Sequence, residues 1–319
     1  MLDLPDTTLE KRRLGRTEYH VTTLGLGCYR FTLEFGVPRA DSLALLDRAL
    51  SLGINYMDTA PSYGTGESEE LIGRALSRHP DKQVFISSKV GQLDKSIALA
   101  IGNDAYHSED CIRRVVDHTL WLLQKDYLEM LFIHEPEVME WWGWDEKTLD
   151  APVLRVFEKL KEEKVIGAIG LGSNTVDFPG RLAETGRIDV IEIANGYNLV
   201  GQRIEERILP AAEEHDIGIV AGGPFRAGLL AAKQPDRIGK RFSEIKGQIL
   251  GFYQLSDETG LPIHELNLRY ILSNPAIHSV IPGAQKPEEV EANYQAVLNG
   301  PLPDDIMEAI AKIQRGTKT

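Results

Sequence analysis

Residues 55–90 read NYMDTAPSYGTGESEELIGRALSRHPDKQVFISSKV, and the reading of this stretch decides the fold. A short apolar run closes on Asp58, and a Pro/Gly loop carrying Tyr63 follows. Next come GESEELIGRAL (66–76), opened by acids, and a second apolar run, VFISSKV (84–90), ending near Lys89. Acids in a first turn suit the positive end of a helix. Short Val/Ile-rich runs bounded by turn residues are how strands buried on both faces read. Strand, helix and strand in that order make a βαβ unit with parallel strands.

The unit recurs along the chain. Further apolar runs are VTTLGLGC (21–28), YLEMLFIHE (127–135), IGAIGLGSN (166–174), VIEIANGY (190–197), GIVAGGPF (218–225) and IHSVIPGA (277–284). Helical spacing marks 40–53, 108–124, 148–164, 203–216, 262–275 and 286–300, with Ser108 as an N-cap of the segment it opens. Eight strands alternating with helices close most simply into an α/β fold of (β/α)8 TIM-barrel type, which takes ~250 residues in its typical form. The surplus reads as an N-terminal hairpin over 11–20, an extra helix over 241–259 and a C-terminal helix over 303–316. No linker or low-complexity stretch divides residues 1–319, which read as a single domain. The rival doubly wound sheet announces itself by G-x-G-x-x-G after its first strand, and GLGCYRF (25–31) is not that motif.

Composition narrows the partners. The formal charge of −13 opposes nucleic acid and anionic lipid, while leaving room for an anion in a local basic pocket. Cys28 and Cys111 are too few for a disulfide framework and fit a reducing compartment. MLDLPDTTLEKRRLG lacks the apolar core of a signal peptide, and no apolar run approaches the ~20 residues of a membrane helix. A cytoplasmic protein is expected; its oligomeric state is not written in these features.

Barrel chemistry gathers at the C-terminal ends of the strands. Asp58 ends the second strand with Tyr63 in the loop after it, Lys89 ends the third, and His134 ends the fourth. Taken singly, each has a plainer reading: a turn residue, a cation reaching solvent, a satisfied core histidine. Together on one rim they suit a single task. A phenol with an ordinary pKa near ~10 is a poor acid at neutral pH, and a neighbouring cation is expected to lower it by ~1–3 units. Lys89 supplies that cation, Asp58 keeps the Lys charged, and a neutral His134 orients a C=O or C–OH oxygen. The set suits proton transfer to oxygen while another group transfers hydride. No metal-ligand spacing stands out.

On these residues the chain resembles the aldo-keto reductase family, from RRLGRTEYHVTTLGLG (12–27) to IPGAQKPEEVEAN (281–293). MDTAPSYGTGESEELIGRAL (57–76) matches the motif of the family's second strand, and the family's Asp, Tyr, Lys and His tetrad falls on Asp58, Tyr63, Lys89 and His134. The resemblance implies a (β/α)8 barrel that uses NADP(H) or NAD(H) on a small carbonyl or alcohol. KVGQL (89–93), IHEPE (133–137), GLGSN (170–174) and GGPFRAGLLA (222–231) look like the branch of aldose 1-dehydrogenases acting on sugars. A carbonyl-reducing member with the same tetrad is the close rival.

The resemblance also implies cofactor contacts, with departures. The family's Ser and Asn, which hold the nicotinamide carboxamide, fall on Gly172 and Ser173 unless Asn174 compensates, and Ala194 stands where a Gln is common. Tyr197 matches the aromatic residue on which the nicotinamide stacks, and Arg226 and Leu229 fall in the loop that crosses the pyrophosphate. The last helix should receive the adenosine phosphate on its N-terminus. There Lys286 faces a 2′-phosphate and Asn293 the adenine, Glu289 stands where an Arg is common, and Gly283 lacks the Lys of other members. Lys286 tips the reading to NADP(H), with NAD(H) open. Lys286 and Arg226 read equally as solvated cations. For substrate the rim offers Cys28, Tyr29 and Arg30, the loop 91–107, and EVMEWWGWDE (137–146), whose Trp141 and Trp142 either stack on substrate or pack the loop.

Two other functions fit a barrel: a lyase with Lys89 as Schiff-base nucleophile, and a cofactor-binding regulatory barrel with little turnover.

Overall fold

The computed structural model describes residues 8–92 and 106–316. Its parallel strands are β1 (Leu26–Gly27), β2 (Tyr56–Asp58), β3 (Phe85–Val90), β4 (Leu128–His134), β5 (Ile166–Ser173), β6 (Val190–Ala194), β7 (Gly218–Gly222) and β8 (Ser279–Ile281). They pair in sequence order. The ring closes where Gly25 N donates to Val280 O at 2.9 Å and Gly27 N to Pro282 O at 3.1 Å. The expected eightfold barrel is therefore the fold.

The outer ring consists of α1 (Arg39–Ser51), α2 (Glu67–Arg78), α3 (Glu109–Leu123), α4 (Pro152–Glu162), α5 (Asp177–Ala183), α6 (Leu209–His215), α7 (Ile263–Leu272) and α8 (Pro287–Leu298). Ser108 caps α3, its Oγ accepting from Cys111 N at 3.4 Å. Three acids lie in the first turn of α2, as the helix dipole favours. The pattern over 203–216 is not one helix: Ile204–Arg207 stops before α6 begins. Pro210 sits at the start of α6, where its missing N–H costs nothing, whereas inside a continuous helix its ring would clash with the preceding turn. The short α5, with Pro179 inside it, has no helical spacing to read in the sequence. The surplus residues form a hairpin of Lys11–Arg13 with His20–Thr22 and helices Lys246–Thr259 and Asp304–Arg315.

The strand period of two sorts the residues. On β3, Phe85 belongs to the barrel interior while Ile86 faces the helices; on β4, Met130 and Phe132 point in while Leu131 and Ile133 point out. The interior is filled by Tyr56, Phe85, Met130, Phe132, Val190, Val220 and Ile281, and the hairpin plugs its lower mouth with Leu14 and Val21. The apolar filling stops at the upper end. There the inward positions are Asp58 on β2, Ser87 and Lys89 on β3, His134 on β4 and Glu192 on β6.

Candidate active site

Lys89 is 1% exposed, and burying an ammonium is tolerated only when it is paired. Its Nζ donates to both Asp58 oxygens at 2.6 Å and to Thr59 O at 3.0 Å. Ser87 Oγ also donates to Asp58 Oδ1 at 2.7 Å. Burial opposes the Lys89 charge, but Asp58, Tyr63 and Glu192 outweigh it and hold the ammonium well above its ordinary pKa. Lys89 is thus a fixed cation. Its Nζ lies 5.1 Å from the centre of the Tyr63 ring.

Tyr63 departs from expectation. Lys89 does pull the phenol down, yet burial outweighs it, Asp58 and Glu192 push the same way as burial, and the net direction is upward. The expected lowering is corrected accordingly: in this arrangement Tyr63 keeps its proton. The His134 ring stands edge-on to Tyr63 at 6.1 Å between centres. Burial, then Lys89, drives the imidazole well below its ordinary pKa, so it is neutral. Its Nδ1 is buried without a hydrogen-bond partner among the described residues.

These side chains border a cleft of about 370 Å³ lined by Tyr29, Tyr63, His134, Asn174, Glu192 and Ala194 among others. Ser173 and Asn174 reach it but are already engaged. Ser173 Oγ donates to Glu137 Oε2 at 2.7 Å, and Asn174 Nδ2 donates to Glu135 Oε1 at 2.8 Å. Among the described residues the Asn174 side-chain oxygen Oδ1 accepts no hydrogen bond, while its backbone carbonyl accepts from Arg203 at 3.2 Å. Glu135 follows His134 in a left-handed backbone, φ 55°, and its N–H donates to Gly172 O at 2.7 Å. That sharp turn leads the β4 loop back onto the end of β5.

The remaining expected residues are placed as follows. Trp142 is wholly buried, stacked on Tyr106 at 4.8 Å and donating from Nε1 to Glu135 O at 3.0 Å, so it packs the loop. Trp141 is half-buried against the core. Tyr197 is buried with its ring stacked on Tyr270 at 5.6 Å, and Leu229 is in the core. Tyr29 is exposed and packs on Tyr63 at 4.9 Å. Cys28 is a buried free thiol. Arg30 lies across Gly283, where a Cβ would meet its Cγ at 3.1 Å. Of the loop 91–107, residues 93–105 lie outside the described residues.

A basic cluster fits the phosphates of a dinucleotide. Arg226 Nε is buried without a hydrogen-bond partner among the described residues, and burial followed by Arg203 and Arg241 lowers its pKa. Three guanidiniums gathered in this way suit a dianionic group. At the start of α8 Lys286 is exposed, Asn293 is buried, and Glu289 Oε2 accepts from Gln285 N at 2.8 Å. The Glu289 carboxylate thus ties the first turn of α8 back to Gln285, the residue before its N-cap Lys286.

Reasoning from the sequence overlooked Glu192, Glu135, Glu137, Arg203 and Arg241. Only Glu192 left a signal: it is a lone acid inside VIEIA (190–194), in register with Val190 and Ala194 and hence inward-facing. Among the described residues no cluster could hold a metal ion, and no helix is long and apolar enough to cross a membrane.

A parallel eight-stranded barrel with a buried Lys–Asp pair, a phenol and a neutral imidazole on its upper rim defines a class of oxidoreductase. The description "Aldo/keto reductase family" belongs to the family model that matches residues 23–315. The chain is 30% identical over 315 residues to the uncharacterized oxidoreductase YqkF of Bacillus subtilis (strain 168), covering 95% of each. It is 29% identical over 280 residues to a D-threo-aldose 1-dehydrogenase of a Pseudomonas species, covering 80% of this chain and 82% of that one. Among solved structures, the holo form of aldo-keto reductase AKR11C1 from Bacillus halodurans superposes with a TM-score of 0.76 and 27% identity over 96% of both chains. The chain belongs to the aldo/keto reductase family and is an NAD(P)-dependent oxidoreductase.

Proposed function

We propose that Tyr63 is the acid/base of a reversible carbonyl–alcohol interconversion and that the substrate is a neutral polyhydroxylated compound of the aldose type. One observation carries the reading: a fully buried Lys89, clamped by both oxygens of Asp58, lies against the Tyr63 ring beside a neutral His134. A bound nicotinamide would supply or accept the hydride at the substrate carbon. In reduction Tyr63 gives its proton to the substrate oxygen, and the Lys89 charge stabilises the phenolate left behind. In oxidation the phenolate takes the alcohol proton. His134 has an orphaned nitrogen inside and orients the oxygen through the other. A protonated Lys89 is no Schiff-base nucleophile, which disfavours a lyase.

Arg226, with Arg203 and Arg241, holds the pyrophosphate, and Lys286 holds a 2′-phosphate, favouring NADP(H) over NAD(H). Asn174 keeps an amide oxygen for the nicotinamide carboxamide, in a cleft where Ala194 offers no side-chain donor. The aldose reading draws on the D-threo-aldose 1-dehydrogenase relative and on an acid at the cleft, Glu34, which accepts from hydroxyls and repels anions. The test is Tyr63→Phe, which retains the ring and removes the proton. Turnover should fall by about 10²–10⁴-fold with an unchanged fold; unchanged turnover on a good substrate refutes the role.

A further inference from the structure

The upper layer of the barrel contains a second carboxylate that the Tyr–Lys–Asp–His set does not use. Glu192 Oε2 lies 3.6 Å from Lys89 Nζ, against 2.6 Å for each oxygen of the Asp58 clamp. Room for it is built into the neighbouring strands. A Cβ on Gly222 of β7 would lie 2.0 Å from Glu192 Oε1, and one on Gly172 of β5 would lie 3.4 Å from its Oε2. A side chain at Gly222 would therefore displace the carboxylate. One cation thus faces two buried carboxylates, and only one of them has the short bidentate contact.

We infer that Glu192 is a positioning residue that shares Lys89 with Asp58 and, by gaining or losing its proton, sets how tightly Tyr63 holds its own. This inference rests on Tyr63 being the acid/base of the reaction. The groups facing Glu192 are Lys89 on β3, Asp58 and Tyr56 on β2, and Tyr63 in the loop beyond; β5 and β7 present glycines. Two carboxylates competing for one cation titrate as a pair, and the less well paired one keeps its proton to higher pH. Burial first, then Asp58, pushes Glu192 up to about 7 against the pull of Lys89. Below that pH the cluster of Asp58, Lys89 and a neutral Glu192 has no net charge. Above it the cluster carries one negative charge, which raises the proton affinity of Tyr63. Reduction, which needs the protonated phenol, is protected at alkaline pH. Oxidation, which needs the phenolate, is restrained there.

The test compares alcohol oxidation by wild type and Glu192→Gln across pH 5.5 to 8.5. Gln has the size of a protonated Glu, so the ratio of variant to wild-type kcat/KM should be near one at the acid end. It should climb to about tenfold at the alkaline end as wild-type Glu192 ionises. A packing role alone gives a ratio that does not vary with pH, and that result overturns the inference. Infrared titration of the enzyme alone supplies a second measurement that needs neither turnover nor the Glu192 variant. Glu69 is a second carboxyl pushed up to about 7 by burial, so the measurement uses a Glu69→Gln background. There a protonated carboxyl band should disappear near neutral pH; absence of such a band overturns the inference. Loss of the oxidation effect with the band intact removes the coupling to Tyr63. A failure of Tyr63 itself is read separately from Tyr63→Phe.

Discussion

Glu69 offers a sharp test of the energetics. It lies in the first turn of α2 with no exposed surface; its Oε1 accepts from Ser88 Oγ at 2.6 Å, while Oε2 has no hydrogen-bond partner among the described residues. Burial pushes this carboxyl from 4.5 to about 7 despite the Ser88 hydroxyl. The folded chain therefore binds a proton that the unfolded chain has already released across the interval between those values. By linkage, this group's contribution is most favourable below the unfolded pKa and is lost as pH rises through the folded one. At about 1.4 kcal/mol per pH unit, the loss is about 3 kcal/mol by alkaline pH. Glu69→Gln keeps the shape and the acceptor for Ser88 and removes the ionisation. Urea unfolding of both proteins from pH 5 to 8.5 reads the difference. The variant should match wild type at the acid end and exceed it by up to about 3 kcal/mol at the alkaline end, or roughly 5 °C in Tm for a chain of this size. Glu192 and the net charge act in both proteins and cancel. A difference that is flat with pH refutes the argument.

Lys89→Met removes the one cation between Asp58 and Glu192 while keeping the length of the side chain. Breaking a buried pair from one side costs about 3–5 kcal/mol, so urea midpoints should fall and turnover should collapse with them. Lys286→Ala should raise the Kd for NADP(H) about tenfold, or ~1.4 kcal/mol, and leave that for NAD(H) nearly unchanged; equal effects on both remove its assignment to the 2′-phosphate.

The barrel was legible because buried parallel strands leave unbroken apolar runs, and the site because three consecutive runs end on Asp58, Lys89 and His134. Asp58, Lys89 and His134 could be read since the end of a strand is a position in the sequence. The direction in which a side chain faces is less visible. Trp142, Tyr197 and Leu229 occupy the expected loops and strands, and how far each side chain is buried there is set by packing, which a motif does not encode. The upward direction at Tyr63 depends on how much of the ring is covered, which spacing does not encode. Glu192 was within reach: an acid spaced by two from Val190 and Ala194 on an otherwise apolar strand has to face inward. α5 was beyond reach, since seven residues with a proline at the third make less than a period of pattern.

The inner wall of the barrel is bare on one side. At Gly170 the missing side chain is replaced by the Phe132 ring, whose Cδ1 would meet an added Cβ at 2.1 Å, and at Gly222 by the Glu192 carboxylate. The interior is thus shaped by omission as much as by filling, and its vacant positions are already occupied by side chains of the adjacent strands. Efforts to retarget this enzyme by mutagenesis would therefore gain nothing from enlarging those glycines. The tolerant ground is the rim of the cleft, at Tyr29, Gln92 and Ala194, above the buried Lys89–Asp58 pair.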